Sequence, residues 1–178
     1  MPSCRAFLPV ILIPFVAGCS AAMRSTTDNV ATAIVRNASG TSLGTLRFEA
    51  GPNGVRMTGQ LNGLPAGAHG IHLHAVGRCD APEFTSAGGH FNPGMTKHGL
   101  LNPEGPHAGD LPAIGADASG RATVDVISPR VTLDESRVSG AFDVDGTSVV
   151  VHAANDDQRT DPSGNSGGRI ACGVLERS

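Results

Sequence analysis

Apolar and polar residues alternate in short runs along this chain, and no long stretch carries apolar residues at helical spacing. Residues 30–37 set the pattern, with Val30, Thr32, Ile34 and Arg36 on one parity. The same period predicts strands over 43–50, 55–61, 68–75, 121–127, 138–144, 148–152 and 169–175. Gly51-Pro52-Asn53-Gly54, residues 117–120 and Asp145-Gly146 carry turn chemistry between them. About eight short strands with turns at regular spacing predict an all-β sandwich or small barrel. Two stretches break the pattern, 76–113, with many Gly and Pro, and 153–168, rich in Asp, Gly, Ser and Pro. Ordered loops of that length are usually functional or cross-linked.

The first residues follow a different logic. Met1 to Arg5 is a short segment with one cation, and 6–17 is apolar but too short to span a bilayer and interrupted by Pro9 and Pro14. The run ends in Val16-Ala17-Gly18-Cys19, which looks like a bacterial lipobox, with cleavage before Cys19 and acylation of its thiol. An ordinary secretory signal with an incidental Cys19 is the alternative. The expected organisation is a lipoprotein signal peptide over 1–18, a lipidated tether over 19–29 and one domain over 30–178. By resemblance to Gram-negative lipoproteins, Ser20 after the cysteine implies the outer membrane, so the expected location is the envelope, on the periplasmic face of that membrane. With Cys4 removed and Cys19 acylated, Cys79 and Cys172 remain, either as a disulfide in an oxidising compartment or as thiols of a zinc site.

Composition narrows the classes of function. The chain has 178 residues, room for one domain with a real core, and a formal net charge of -3, which supplies no basic footprint for nucleic acid. Lys97 is its single lysine.

The chemistry lies in the seven histidines. His72 and His74 are two apart in a predicted strand, so they share one face and form half of a metal site. His90, His98, His107 and Asp110 fall in the first long loop, and His152 ends a strand. His69, three residues before His72, faces the other way and reads as a structural histidine bonded to backbone. Six imidazoles and a carboxylate exceed what one zinc ion requires, so two metals, or a set with surface histidines, are both open at this point.

These residues sit in segments that resemble the Cu,Zn superoxide dismutase family: His69-Gly70-Ile71-His72-Leu73-His74, Gly88-Gly89-His90-Phe91-Asn92-Pro93, Lys97-His98-Gly99, Gly105-Pro106-His107-Ala108-Gly109-Asp110, Val150-Val151-His152 and Gly164-Asn165-Ser166-Gly167-Gly168-Arg169-Ile170-Ala171-Cys172-Gly173. The resemblance implies a Greek-key β-barrel holding one copper and one zinc per chain. It implies copper ligands at His72, His74, His90 and His152, and zinc ligands at His90, His98, His107 and Asp110, with His90 shared. It assigns to Arg169 the guanidinium that attracts and orients the superoxide anion, and to Asp156 the carboxylate that orients one ligand of each metal. It pairs Cys79 with Cys172. The implied reaction converts superoxide to oxygen and hydrogen peroxide, with His90 handling a proton. The implied role is protection of the envelope from superoxide made outside the cytoplasm.

Departures from the family pattern are local. The segment 153–168 is short and lacks lysine, which leaves Arg159 as a candidate steering cation. Membrane attachment through the lipid and a homodimer are the partners to consider. An exported copper or zinc buffer on the same fold is the main rival, but a buffer needs neither Arg169 nor a shared His90. A copper-only enzyme would lack His98, His107 and Asp110, and a purely structural sandwich leaves the histidines unexplained.

Overall fold

The computed structural model describes Met1 and residues 29–178. The expected signal peptide, Cys19 and the tether, apart from Met1 and Asn29, lie outside the described residues.

Ten strands follow in chain order: β1 (Val30–Asn37), β2 (Ser42–Gly51), β3 (Gly54–Leu61), β4 (Gly67–His69), β5 (Ile71–His74), β6 (Ile114–Ala116), β7 (Ala122–Ser128), β8 (Ser148–His152), β9 (Arg169–Val174) and β10 (Glu176–Arg177). Their spatial order is β4-β6-β7-β3-β2-β1-β9-β8-β5, with β10 against β1, and all strand pairings are antiparallel. β4 and β5 stand at opposite ends of that order, yet one residue, Gly70, joins them. The sheet therefore curls until its two ends meet, giving a nearly closed barrel. Gly70 sits tightly at the seam: an added Cβ would lie 2.9 Å from the Ser166 Cβ and 3.2 Å from His72 Cε1.

The strand pattern is met over most of its length and departs in four places. The expected strand 68–75 is split at Gly70 into β4 and β5. Two short strands, β6 and β10, had no pattern long enough to announce them. The expected strand 138–144 does not form. That stretch is held by turn bonds instead, Gly140 N–H to the Arg137 carbonyl and Gly146 N–H to the Asp143 carbonyl, and Val138 and Val144 face solvent. Asp143, Asp145 and Gly146 favour turns, and an Asp143 side-chain oxygen accepts from the Asp145 N–H at 3.2 Å.

Which parity faces inward decides where the chemistry lies. In β1 the core face is Ala31, Ala33 and Val35, while Ile34 is turned outward. In β5, Ile71 and Leu73 join the core with Val149 and Val151 of β8. The opposite face of this ribbon carries His72, His74, Val150 and His152, in register His72 with Val150 and His74 with Ser148. Burial of each large aliphatic side chain is worth about 1.5–3 kcal/mol. A one-residue slip would exchange the aliphatic and imidazole faces, so the core fixes the imidazoles outward.

That outer face is not solvated. The loop 75–113, with one 3-10 turn at Thr85–Ala87, covers it: Phe84 and Ala87 pack on Val150 and Cys172 in a second small core beside Cys79. A disulfide joins Cys79 to Cys172 and pins this loop to β9. The loop 153–168 closes the other side, with Gly70 N–H donating to the Ala154 carbonyl and His152 N–H to the Gly70 carbonyl.

Candidate metal centre

The structure brings His72, His74, His90, His98, His107, Asp110 and His152 together beneath the two loops. They fall into two groups whose candidate ligand atoms lie within 4.8 Å of one another: His72, His74, His90 and His152, and His90, His98, His107 and Asp110. His90 belongs to both. His69 lies apart, its ring nitrogens 2.8 Å from the His152 and Pro65 carbonyl oxygens, a backbone-held histidine in the wall.

The second ring nitrogen of each imidazole fixes where the first one points. His74 Nδ1–H donates to the Gly88 carbonyl at 2.9 Å and His152 Nδ1–H to the Gly167 carbonyl at 3.1 Å. Carbonyls only accept, so both Nε2 atoms carry lone pairs, and these face each other at 3.4 Å. His72 Nε2 is engaged by Asp156 Oδ2 at 2.7 Å, leaving its buried Nδ1 without a partner. His90 Nε2 is likewise buried and unpartnered. Buried polar atoms without partners are costly, and convergent lone pairs repel. A cation among these four nitrogens removes both penalties. The donor set, all imidazole, suits copper.

The other group centres on Asp110. Its Oδ2 is occupied, accepting from the backbone N–H groups of Gly99 at 2.8 Å and His107 at 2.9 Å. Its Oδ1 faces three imidazole Nδ1 atoms, of His90 at 2.9 Å, His98 at 3.0 Å and His107 at 3.2 Å. The Nδ1 atoms of His90 and His107 stand 3.4 Å apart. Ligands about 2.0–2.2 Å from a tetrahedral ion are separated by roughly 3.3–3.6 Å, so these donors need to open by only a few tenths of an ångström to enclose one. Three nitrogens and a carboxylate oxygen are a zinc-type set.

Asp156, from the second loop, links the groups. Its Oδ1 meets His98 Nε2 at 3.0 Å while its Oδ2 holds His72. Gln158 N–H donates to Oδ1 at 2.6 Å. Gly164 makes room for this carboxylate: it adopts φ +63°, and a Cβ there would collide with the Asp156 carboxylate and with His98 Nε2. Sequence reading did not single out Gly164; only the folded loop shows what it faces.

Burial sets the protonation states. Burial, reinforced by His90, pushes His74 down to about 2. Burial and the nearby His72 push His152 to about 3. Burial brings His90 to about 4 against the opposing hydrogen bond to Asp110. His98 goes the other way: burial opposes its charge, but hydrogen bonds to Asp110 and Asp156 prevail and raise it to about 9. Burial would raise both carboxyl groups, yet the imidazoles around them hold Asp110 and Asp156 well below the usual carboxylate range.

Arg169 enters from β9, where it pairs with His152. Its guanidinium donates to the carbonyls of Phe84 and Gly88, each at 2.6 Å. The Gly88 carbonyl thus receives both Arg169 and His74, which fixes a half-buried cation next to the all-imidazole group. Arg159 is exposed on the loop carrying Asp156.

A barrel of this kind with two joined histidine groups defines a class, and comparison with known proteins agrees. The family model described as copper/zinc superoxide dismutase matches residues 42–175. Cu-Zn superoxide dismutase 1 of Aquifex aeolicus is 45% identical over 141 residues, covering 79% of this chain and 83% of that one. The Cu-Zn superoxide dismutase of Caulobacter vibrioides is 44% identical over 148 residues, covering 82% and 85%. Among solved structures, a superoxide dismutase-like protein from Bacillus subtilis superposes with a TM-score of 0.79 at 37% identity, covering 82% of this chain and 97% of that one. The Cu/Zn superoxide dismutase from Brucella abortus gives 0.66 at 30% identity, covering 83% and 99%. The chain belongs to the copper/zinc superoxide dismutase family, oxidoreductases that act on superoxide.

Proposed function

We propose that this chain holds one copper ion at His72, His74, His90 and His152 and one zinc ion at His90, His98, His107 and Asp110, and dismutates superoxide at the envelope surface. The observation that carries this reading is His90: its Nδ1 faces Asp110 Oδ1 at 2.9 Å, and its Nε2 is buried without a partner toward the other group. A single imidazole serving both groups has no purpose in a simple metal buffer.

When bound, copper supplies the one-electron exchange that dismutation needs, and zinc supplies a fixed charge without redox change. The chain supplies the rest. Arg169 attracts the anion and orients it through a rigid fork of donors. His90 Nε2 is the atom that holds a proton for the product peroxide. Asp156 keeps His72 and His98 in fixed orientations, as partners behind metal-bound histidines do. The disulfide between Cys79 and Cys172 holds Phe84 and Gly88, and hence Arg169, in place. Arg159 adds to the positive field at the rim.

Residues 1–18 serve as a lipoprotein signal peptide, 19–29 as a lipidated tether anchored at Cys19, and 30–178 as the catalytic domain. The disulfide fits an exported, oxidising compartment. The anchor puts the enzyme on the periplasmic face of the outer membrane, where it protects the envelope, as a monomer or a homodimer.

Elemental analysis and chelator competition on the purified protein test this reading. It predicts one copper and one zinc per chain and loss of zinc, with copper retained, in His98→Ala. Binding of a single metal per chain would overturn it.

A further inference from the structure

We propose that Arg130 is a positioning residue for the zinc group, acting as a clasp on the backbone that carries two of its ligands. This rests on the reading of His90, His98, His107 and Asp110 as zinc ligands.

His107 and Asp110 sit on one tight turn, closed by Asp110 N–H donating to the His107 carbonyl at 3.3 Å. The turn faces the end of β7, and two side chains just there reach into it. Arg130 Nε donates to the His107 carbonyl at 3.2 Å, and Arg130 Nη2 donates to the Asp110 carbonyl at 3.0 Å. Ser128 Oγ adds a longer bond to the Ala108 carbonyl at 3.3 Å. One planar guanidinium therefore grips the carbonyls of both ligand residues, with the fixed spacing that only an arginine fork provides.

Position in the fold explains why a clasp matters. The turn belongs to the loop 75–113, which has no regular strand of its own. It is fastened to β5, where Leu73 N–H donates to the Gly109 carbonyl at 2.9 Å beside the bridge between His72 and Asp110, to Phe91, whose carbonyl accepts from Gly109 N–H at 2.8 Å, and at the centre by the bonds to Asp110 Oδ2. Arg130, two residues beyond β7, adds a second strand anchor on the opposite side, since β7 is paired along its whole length with β3. Strand-based support holds a ligand set more accurately than a loop can by itself. The disulfide, by comparison, fastens the other end of the same loop, at Cys79.

The charge of Arg130 argues in the opposite direction, which makes the idea decidable. A guanidinium near Asp110 repels a divalent cation, so if electrostatics dominated, removing it would tighten zinc binding. If the clasp dominates, removing it loosens zinc binding. The geometry points to the clasp, because both donors are committed to carbonyls and not to the carboxylate.

The test uses Arg130→Met, which keeps the apolar stem, and Arg130→Lys, which keeps the charge but loses the fork. Zinc and copper affinities are read by chelator competition, and the geometry of the zinc group by the visible spectrum of bound cobalt(II). Zinc affinity is expected to fall about 10–100-fold in Arg130→Met, the range found when groups behind metal ligands are removed, with an altered cobalt spectrum and copper affinity unchanged within about twofold. Arg130→Lys is expected to lie between the two and carries the test by itself should the methionine variant not fold. Unchanged or tighter zinc binding, or equal loss of both metals, overturns the clasp. Absence of zinc binding by the parent protein instead overturns the assignment of the zinc ligands.

Discussion

At the scale of single residues, the centre is governed by what holds the far side of each ligand. Behind the ligand atoms, Asp156 engages both groups, through His72 and His98. Asp156→Ala is therefore expected to weaken copper and zinc together, each by about 10–100-fold, in chelator titrations. Gly164→Ala should reproduce much of this loss, since its methyl would displace the same carboxylate. Protonation separates the groups. In the metal-free chain His98, raised to about 9, must give up a proton before it can bind a metal at neutral pH. His74, His152 and His90, lowered to about 2, 3 and 4, carry none to give up. Zinc affinity should then rise with pH from 6 to 9 more steeply than copper affinity, a difference that titration calorimetry in two buffers detects as extra proton release. Linkage also fixes the sign for folding. The three lowered histidines take up protons in the unfolded chain near the ordinary value of 6.5 but not in the native one, so they destabilise the metal-free protein progressively as pH falls below that value. His98 stabilises it below 6.5 and loses that contribution as pH rises through about 9.

At the scale of elements, the candidate ligands come from strands that alternate correctly and from loops that need fastening. The alternation in β5 and β8 was legible, because His72, His74 and His152 follow a period of two against Ile71, Leu73, Val149 and Val151. The first loop was legible only as an irregular, histidine-bearing stretch. Nothing in the local pattern announces that Arg130 reaches His107 or that Gly164 faces Asp156, since those approaches are made by chain segments far apart in sequence. The misread stretch 138–144 has the opposite cause: its valines suggested a strand, and turn-forming Asp and Gly residues decided otherwise. The loop's main covalent fastening is the disulfide, which spans 93 residues. Its removal by Cys79→Ser with Cys172→Ser should cost about 2–5 kcal/mol in urea unfolding. Activity should fall as well, because Phe84 and Gly88, the carbonyls that hold Arg169, lie on the freed loop.

At the scale of the whole molecule, an enzyme for an anion carries a formal net charge of -3. Its overall field repels the substrate, so the proposed capture rests on local cations, Arg169 foremost. The barrel closes at Gly70, the two loops cover one ribbon of it, and the covered face holds the candidate metal groups. A barrel with histidines on one ribbon could be read from strand spacing and from the family resemblance; the closure through a single glycine could not. The most direct test of the account is the rate of superoxide dismutation by the copper- and zinc-loaded protein beside its Arg169→Ala variant. The account predicts fast dismutation by the parent, weakened by added salt, and a rate lower by between about 10- and 10³-fold in the variant. Both metals bound at one per chain with no dismutation by the parent would contradict it.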